Sequence, residues 1–311
     1  MADPASIGLA ILQVLYTMVY TFYCIIESIA RTCLPRDYFK KDIAGQIVLV
    51  TGGGSGIGRL MCLKFAARGA KIVTWDVNPE GNAETVRQIA DAGGFCRGYT
   101  VDLCNRKDVY ASAKRVKEEV GKVDILVNNA GIVTGKKLLE SPDESIIRTF
   151  EVNSLSHFWT VKAFLGDMLL SNRGHIVSIA SMAGWIGANG LVDYCSSKFA
   201  AVGFDEALRL ELKAEGATGI KTTVVCPIYI STGMFEGVVT NSLFPILSPE
   251  WVASEAVDAT LMDVPVLMLP KHMRIGLILR HILPDKVNYK LAQLTGVTTM
   301  MNGFVGRRKE E

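Results

Sequence analysis

After Asp3, a long stretch near the beginning of this sequence has no charged residue. Between Pro4 and Ile26 there is no Asp, Glu, Lys or Arg, and most of these residues are apolar. A helix of this length, at about 1.5 Å per residue, is long enough to cross a hydrocarbon core of about 30 Å. A cleaved signal peptide would need a basic start and a shorter apolar core, although Ser28-Ile29-Ala30 resembles a cleavage site. A buried core helix is a third alternative. We interpret residues 1–30 as a membrane anchor that either crosses the bilayer or lies in one leaflet.

Other absences bear on the compartment. No Asn-x-Ser/Thr acceptor occurs, and the seven cysteines form an odd set without a Cys-x-x-Cys pair, which is typical of thiols in a reducing compartment. The four histidines show no ligand spacing, so we predict no metal site. Arg31, Arg36, Lys40 and Lys41 follow the apolar run, and this basic linker (residues 31–43) favours a cytosolic position for the rest of the chain. We therefore expect attachment to the endoplasmic reticulum membrane or to lipid droplets.

The remaining sequence has no recognisable linker and no large excess of charge of one sign. The net charge of +2 provides no bulk electrostatic reason to bind nucleic acid. No Pro/Gly/Ser-rich stretch interrupts the body of the chain, so a single large domain is preferred. The mean hydropathy of +0.27 is high for a freely soluble protein.

From Gln46 onward, short β-rich runs alternate with helical stretches. The predicted strand IVLVT (47–51) leads into TGGGSGIG (51–58), and helical periodicity follows. Glycines at 52, 56 and 58 permit a tight turn, close approach of a pyrophosphate and helix–strand packing. The helix N-terminus then offers free N–H groups to phosphate. This order predicts a Rossmann-type, doubly wound parallel sheet with helices on both faces and ligands beyond the strand C-termini.

The next predicted strands indicate which dinucleotide binds. KIVTWD ends at Asp76, whose carboxylate could accept both ribose hydroxyls of NAD and would repel the 2′-phosphate of NADP. No Lys or Arg replaces Ser55 or directly follows Asp76, so the sequence favours NAD. The alternative is that Asp76 merely caps the following helix. Gly98–Leu103 would place Asp102 at the adenine, and Asp124–Gly131 ends in small residues and amides against which a cofactor could lie.

The stretch SMAGWIGANGLVDYCSSK (181–198) carries the chemistry. Tyr194 and Lys198 are four residues apart, so on a helix they share one face. An ammonium beside a phenol lowers the pKa of the phenol, which makes Tyr194 a candidate general acid/base. Ser181 follows the predicted strand His175–Ala180 and could face the phenol across a small substrate. For the motif alone, a surface Tyr–Lys pair is the alternative.

Two further features are ambiguous by themselves. Asn153 lies in an apolar part of the predicted helix Ser145–Leu170, where a solvent-facing or capping Asn is the ordinary interpretation. In the C-terminal tail (271–311), Lys271–Leu283 mixes basic and apolar residues. This predicts an amphipathic helix that either packs on the domain or rests on a membrane.

From about Ala44 to Leu269 the chain resembles the short-chain dehydrogenase/reductase family. The motifs TGGGSGIG, NNAG and YxxxK occur together with Asp76, Asp102, Asn153 and Ser181. The segments NNAGIVTGKKLLE, DYCSSKFAAVGF and KTTVVCPIYISTGMFEG look like its membrane-bound retinol dehydrogenase branch, which also contains lipid-droplet 17β-hydroxysteroid dehydrogenases. Pro227-Ile228 departs from the Pro-Gly of many relatives, and this puts in doubt only the fine shape of the loop over the nicotinamide.

The resemblance implies a catalytic domain over residues 44–270 and assigns roles to residues. The catalytic tetrad would be Asn153, Ser181, Tyr194 and Lys198, in which Asn153 positions a water that links Lys198 to solvent. The cofactor residues would be Gly52, Ser55, Gly56, Ile57, Gly58, Asp76, Asp102, Leu103, Asn129, Ala130, Gly131, Tyr194, Lys198, Pro227, Ile230 and Thr232. The substrate residues would be Ser181, Trp185, Ile186, Tyr229, Met234 and Phe235.

The expected activity is NAD-dependent oxidation of a hydrophobic alcohol, retinol to retinal before all others, with Tyr194 as general acid/base. A 17β-hydroxysteroid or another lipid alcohol is the alternative substrate. A non-catalytic NAD-binding coat protein of membranes or lipid droplets is the alternative from another class, and the complete tetrad argues against it. We also expect a homodimer, contact with membrane lipid and no nucleic acid partner.

Overall fold

The structure is a computed structural model that describes residues 4–306. Residues 1–3 of the predicted anchor and 307–311 of the predicted tail lie outside the described residues. Contacts divide the chain after Lys41 into two compact units.

The first unit is dominated by one long helix, α1 (Pro4–Cys33). Within it, Ile7–Glu27 has a mean hydropathy of 1.9, and none of this stretch is buried. The alternative of a buried core helix is therefore wrong, whereas length and composition suit a membrane span. A short 3₁₀ turn, Arg36–Phe39, follows.

The second unit is built on a seven-stranded parallel sheet in the order β3-β2-β1-β4-β5-β6-β7. The strands are β1 (Ile47–Thr51), β2 (Lys71–Asp76), β3 (Cys96–Thr100), β4 (Ile125–Asn128), β5 (Gly174–Ile179), β6 (Ile220–Pro227) and β7 (Val266–Leu269). The strand order reverses between β1 and β4, which are direct neighbours. In such sheets this switch point opens a crevice for ligands at the strand C-termini.

Helices cover both faces of this sheet. They are α2 (Gly56–Ala66), α3 (Pro79–Asp91), α4 (Arg106–Glu119), α5 (Asp143–Phe150), α6 (Ser156–Leu170), α7 (Val192–Ala214), α8 (Pro249–Leu261), α9 (Met273–Ile282) and α10 (Asp285–Leu294). Alternate side chains of a strand point to opposite faces. Accordingly, Val48 and Val50 of β1 join a core with Phe65 of α2 and Val252 of α8, whereas Leu49 joins a second core with α4 and α6. The fold predicted from the alternating pattern is confirmed.

The element bounds differ from the prediction in two places. The strand predicted at 98–103 ends at Thr100, because the Asp102 carboxylate accepts a hydrogen bond from Cys104 N at 3.0 Å and turns the chain. The helix predicted at 145–170 contains a π-helical turn, Glu151–Leu155, between α5 and α6.

The C-terminal segment folds back over the domain. After α9 and α10, Val239 N donates to Met300 O at 3.0 Å, and Val305 N donates to Glu236 O at 2.9 Å. Residues 300–305 are thereby attached to the loop that follows β6.

Candidate active site

The glycine loop between β1 and α2 has the shape that a pyrophosphate requires. Gly52 and Gly56 have φ angles of +64° and +53°, in the left-handed region that favours glycine. A Cβ on Gly58 would lie 2.1 Å from the carbonyl oxygen of Gly52, so only glycine allows this approach. The first N–H groups of α2 have no intrahelical partner and form an anion site.

Asp76 connects the end of β2 to this loop. Its carboxylate accepts hydrogen bonds from Gly54 N at 2.8 Å and from Asn78 N at 2.9 Å. The N-cap of α3 is Asn78, whose side chain accepts from Gly81 N. Asp76 therefore does not act as the helix cap, which was the alternative interpretation.

Arg59 is a basic side chain that contacts the glycine loop, and two of its guanidinium nitrogens donate to neutral oxygens. It donates to Thr85 Oγ1 at 3.0 Å, to Gly81 O at 3.1 Å and to Gly54 O. The guanidinium thus stabilises the loop by connecting it to α3. This arrangement and the Asp76 carboxylate fit NAD.

A cleft of about 270 Å³ follows the strand C-termini and collects every residue predicted to bind the cofactor. These residues are Gly52, Ser55, Gly56, Ile57, Gly58, Asp76, Asp102, Leu103, Asn129, Ala130, Gly131, Tyr194, Lys198, Pro227, Ile230 and Thr232. Sequence reasoning missed several apolar lining residues and one cation, Arg148 of α5. Arg148 carries no motif, and only the fold brings it to the cleft.

Asn153 lies beside the cleft, fully buried in the π-helical turn. Its Nδ2 donates to Ile132 O at 2.9 Å and to Ser197 Oγ at 3.0 Å, and its Oδ1 accepts from Ile132 N at 2.8 Å. The solvent-facing or capping interpretation is therefore wrong. The amide connects the loop after β4 to α7 next to Lys198, and π-helical turns of this type are frequent at functional sites.

Ser181 follows β5 and opens the short turn Met182–Gly184. Its hydroxyl donates to Pro227 O at 3.2 Å and accepts from Ala183 N at 3.1 Å. It also acts on the Tyr194 phenol, whose pKa it tends to lower. The hydroxyl is thus held in place beside the phenol.

Lys198 is buried one helical turn after Tyr194. Its Nζ donates to Ile179 O at 2.9 Å and lies 5.7 Å from the centroid of the Tyr194 ring. Burial lowers the pKa of the ammonium from 10.5 to about 8.

The pKa of Tyr194 corrects one expectation. We expected Lys198 to lower it, but burial raises the pKa of the phenol above its ordinary value, and the Ser181 hydroxyl opposes this change only in part. The ammonium bonds to Ile179 O and not to the phenol, so its effect is weaker than the cost of burying a phenolate. The phenol is consequently protonated at neutral pH, in the state that donates a proton.

A smaller apolar cavity of about 70 Å³ adjoins the cleft and shares Ser181, Tyr194, Ile228 and Phe235 with it. Of the predicted substrate residues, the cavity contains Ser181, Ile186, Tyr229 and Phe235, while Met234 lines the cleft. The lining residues that sequence reasoning missed include Leu191, Phe244, Met273, Val297 and Met300.

Trp185 does not line either space. Its indole Nε1 donates to Cys226 Sγ at 3.3 Å, and its ring packs on the cluster that contains Met268 and Leu277. The prediction that Trp185 contacts substrate is therefore not supported by its position.

Comparison with known proteins identifies the family. The model of the family described as short chain dehydrogenase matches residues 46–242. The chain is a short-chain dehydrogenase. A solved structure of a short-chain dehydrogenase/reductase from Burkholderia phymatum in complex with NAD is similar to it, with a TM-score of 0.72 and 27% identity over 80% of this chain and 96% of that one.

Among curated relatives, this dehydrogenase is 45% identical to human epidermal retinol dehydrogenase 2 over 93% of this chain and 94% of that protein. It is 43% identical to rat retinol dehydrogenase 10 over 87% and 88%. It is 41% identical to human 17-beta-hydroxysteroid dehydrogenase 13 over 92% and 95%. These matches confirm the predicted family and enzyme class, and the NAD complex of the structural neighbour agrees with the predicted cofactor.

Proposed function

We propose that this dehydrogenase oxidises a membrane-dissolved alcohol with NAD, retinol to retinal being the first candidate. One observation carries the proposal. Ser181 and Tyr194 lie where the cofactor cleft meets a cavity lined almost entirely by apolar side chains. A hydroxyl at the end of an apolar substrate can therefore reach both residues, while its apolar body remains out of water.

NAD, held by the glycine loop, Asp76 and the strand ends, supplies the hydride acceptor. Ser181 Oγ binds the substrate oxygen. In oxidation, Tyr194 takes the alcohol proton after its phenol has lost its own proton to solvent, and in reduction the protonated phenol donates. The Ser181 hydroxyl lowers the pKa of the phenol and so acts against the effect of burial. General acid–base catalysis of this kind contributes roughly 10²–10⁴-fold.

Asn153 is the fourth member of the proposed tetrad. Its amide bonds to Ile132 and to Ser197, the residue before Lys198. We assign to it the positioning of a water that connects Lys198 with solvent.

A substrate panel tests the proposal. Membranes that contain the full chain are given retinol, a 17β-hydroxysteroid and a long-chain alcohol, each with NAD and with NADP, and NADH or NADPH formation is followed. We expect turnover of retinol with NAD. The relative 17-beta-hydroxysteroid dehydrogenase 13 makes a steroid alcohol the second candidate. Binding of NAD without turnover of any alcohol would favour the non-catalytic coat protein.

The proposed location is the cytosolic side of the endoplasmic reticulum membrane or of lipid droplets, with residues 1–30 as the anchor. The exposed apolar stretch Ile7–Glu27 supports it. Deletion of residues 1–30 should reduce membrane retention and should impair turnover of membrane-dissolved alcohols more than that of a short soluble alcohol. Protease protection of the residue 44–270 domain in intact microsomes would place that domain in the lumen and contradict the topology.

A homodimer is proposed from an apolar stripe along α7. Val192, Phe199 and Leu210 are 46%, 44% and 61% exposed, and they share one face of the helix because they are spaced by seven and eleven residues. Gly203, on the same face, has nothing within 4 Å of a Cβ position. Such a seam suits the symmetric approach of a second α7.

A further inference from the structure

Helix α9 is apolar on two opposite faces. Met273 and Leu277 are buried, and Met273 lines the substrate cavity. Ile275, Ile278 and Ile282 are 63%, 60% and 73% exposed. At about 100° per residue, this exposed group is centred about 150° around the helix from the buried pair. A helix that packs on a domain by one face ordinarily carries polar residues on the other, so the outer face of α9 (Ile275, Ile278, Leu279 and Ile282) is arranged to contact something apolar.

The position of α9 places this outer face close to the site. The helix begins just beyond the C-terminal end of β7, at the sheet edge where the cleft and the cavity lie. Asn288 Nδ2 donates to Arg280 O at 2.8 Å and to Leu283 O at 3.0 Å, which fixes the start of α10 against the end of α9. Leu294 at the end of α10 is 74% exposed.

Charge distinguishes the possible partners of this face. Residues 271–294 contain five basic residues, Lys271, Arg274, Arg280, Lys286 and Lys290, and one acidic residue, Asp285. The segment therefore has a net charge of five minus one, +4, whereas the whole chain has +2. Arg274 and Arg280 donate to the domain's own Val266 O and Trp185 O, so the basic residues that face away from the domain are the exposed Lys271, Lys286 and Lys290. Contact with a second copy would oppose two positive segments, and like charges across an interface are unfavourable. An anionic lipid surface is complementary to both the apolar face and the basic residues.

We propose that the outer face of α9 docks on a bilayer that contains anionic lipid. The helix then separates the bilayer from the substrate cavity by about one helix diameter, roughly 10 Å. A substrate dissolved in the bilayer is then close to the cavity that binds it. The inference rests on the proposed membrane attachment through α1.

Site-specific photocrosslinking in the full chain tests the docking. A photoreactive diazirine residue replaces Ile278, and the protein is reconstituted into vesicles of phosphatidylcholine with phosphatidylserine or of phosphatidylcholine alone. Val19 of α1, 70% exposed, is the reference position for the anchor. Leu170, 90% exposed, is the matched control, because α6 ends at the opposite edge of the sheet. Adducts are identified by mass spectrometry.

We expect lipid adducts at positions 19 and 278 and none at 170. The adduct at 278 should decrease on phosphatidylcholine alone, and Lys286→Glu with Lys290→Glu should reduce it on mixed vesicles to the same level. An adduct at 19 without one at 278 would refute the docking and leave the anchor intact. Protein–protein adducts at 278 would identify a second copy as the occupant and also refute it. Absence of adducts at both positions would contradict the anchor and the docking together.

Discussion

Replacement of Tyr194 by phenylalanine removes one oxygen atom from the junction of the cleft and the cavity. The ring contacts should persist, since the Tyr194 ring packs edge-on against Phe235 with centroids 5.6 Å apart. Ser181 would lose the phenol but keep Pro227 O and Ala183 N as partners. The cost in folding stability should therefore not exceed that of one hydrogen bond, about 1 kcal/mol.

The effect on catalysis should be much larger than the effect on stability. Loss of the proton-transfer group reduces turnover by roughly 10²–10⁴-fold, which raises the activation free energy by about 3–5 kcal/mol at about 1.4 kcal/mol per factor of ten. NAD binding should remain close to that of the wild type, because the glycine loop and Asp76 are unchanged. The mutation therefore separates chemistry from binding.

The assay follows NADH formation from retinol in membranes, together with NAD binding by protein fluorescence. Tyr229→Phe is the matched control, since Tyr229 also lines the cavity and packs on Phe235 at 5.2 Å. It should retain turnover within a few fold. If Tyr194→Phe and Tyr229→Phe lose activity equally, or if neither loses it, the assignment of Tyr194 as the acid/base is refuted.

Three further substitutions test other parts of the structure. Lys198→Met should abolish turnover and weaken NAD binding. It should nevertheless stabilise the NAD-free protein at pH 7, because a buried ammonium is removed; the gain is at most about 3 kcal/mol, which corresponds to the difference between a pKa of 10.5 and one of about 8. Between about pH 8 and pH 10.5 the unfolded wild-type chain binds more protons than the folded one, so the free energy of unfolding of the wild type should rise with pH relative to that of Lys198→Met. If the free energies of unfolding of the two proteins change in parallel from pH 7 to pH 10, this prediction is refuted. Asp76→Ala with Val77→Arg should shift cofactor preference from NAD towards NADP, because the repelling carboxylate is removed and a cation is added at a neighbouring cleft-lining position. The ratio of kcat/KM for the two cofactors measures this preference. A wild type that already prefers NADP would contradict the role of Asp76. Gly203→Glu should convert the proposed dimer to a monomer, as measured by sedimentation. Each protomer should remain at least as stable, since a side chain at this position meets open space and glycine costs up to about 1 kcal/mol in a helix. An unchanged molecular mass would exclude α7 as the interface.

Local patterns were sufficient for much of the fold and for the cofactor cleft. The strand IVLVT was predicted with the bounds observed for β1, because a strand buried on both faces appears as an uninterrupted apolar run. Gly52, Gly56 and Gly58 needed only the local turn geometry to be recognised. The positive φ angles of Gly52 and Gly56 and the approach of Gly58 to Gly52 O are local relations, and sequence spacing records such relations directly.

Features that depend on distant neighbours were not predictable in this way. Trp185 has the composition of a substrate contact, but its indole turns to Cys226, a strand residue 41 positions away. The phenol of Tyr194 was expected to ionise more easily, yet the burial created by surrounding elements raises its pKa. The π-helical turn at Asn153 has no signal in the helical periodicity, because the amide is held by Ile132 and Ser197 from two other elements.

The cofactor cleft and the apolar cavity are formed by different parts of the sequence. The cofactor cleft is complete between Gly52 and Phe235, whereas the apolar cavity also requires Met273, Val297 and Met300. Substrate choice can therefore diverge through changes after α8 without disturbing the residues that hold NAD or move the proton. Chimaeras joined in this region, with the last part taken from a steroid-specific relative, should inherit the substrate range of the donor and the cofactor preference of the recipient.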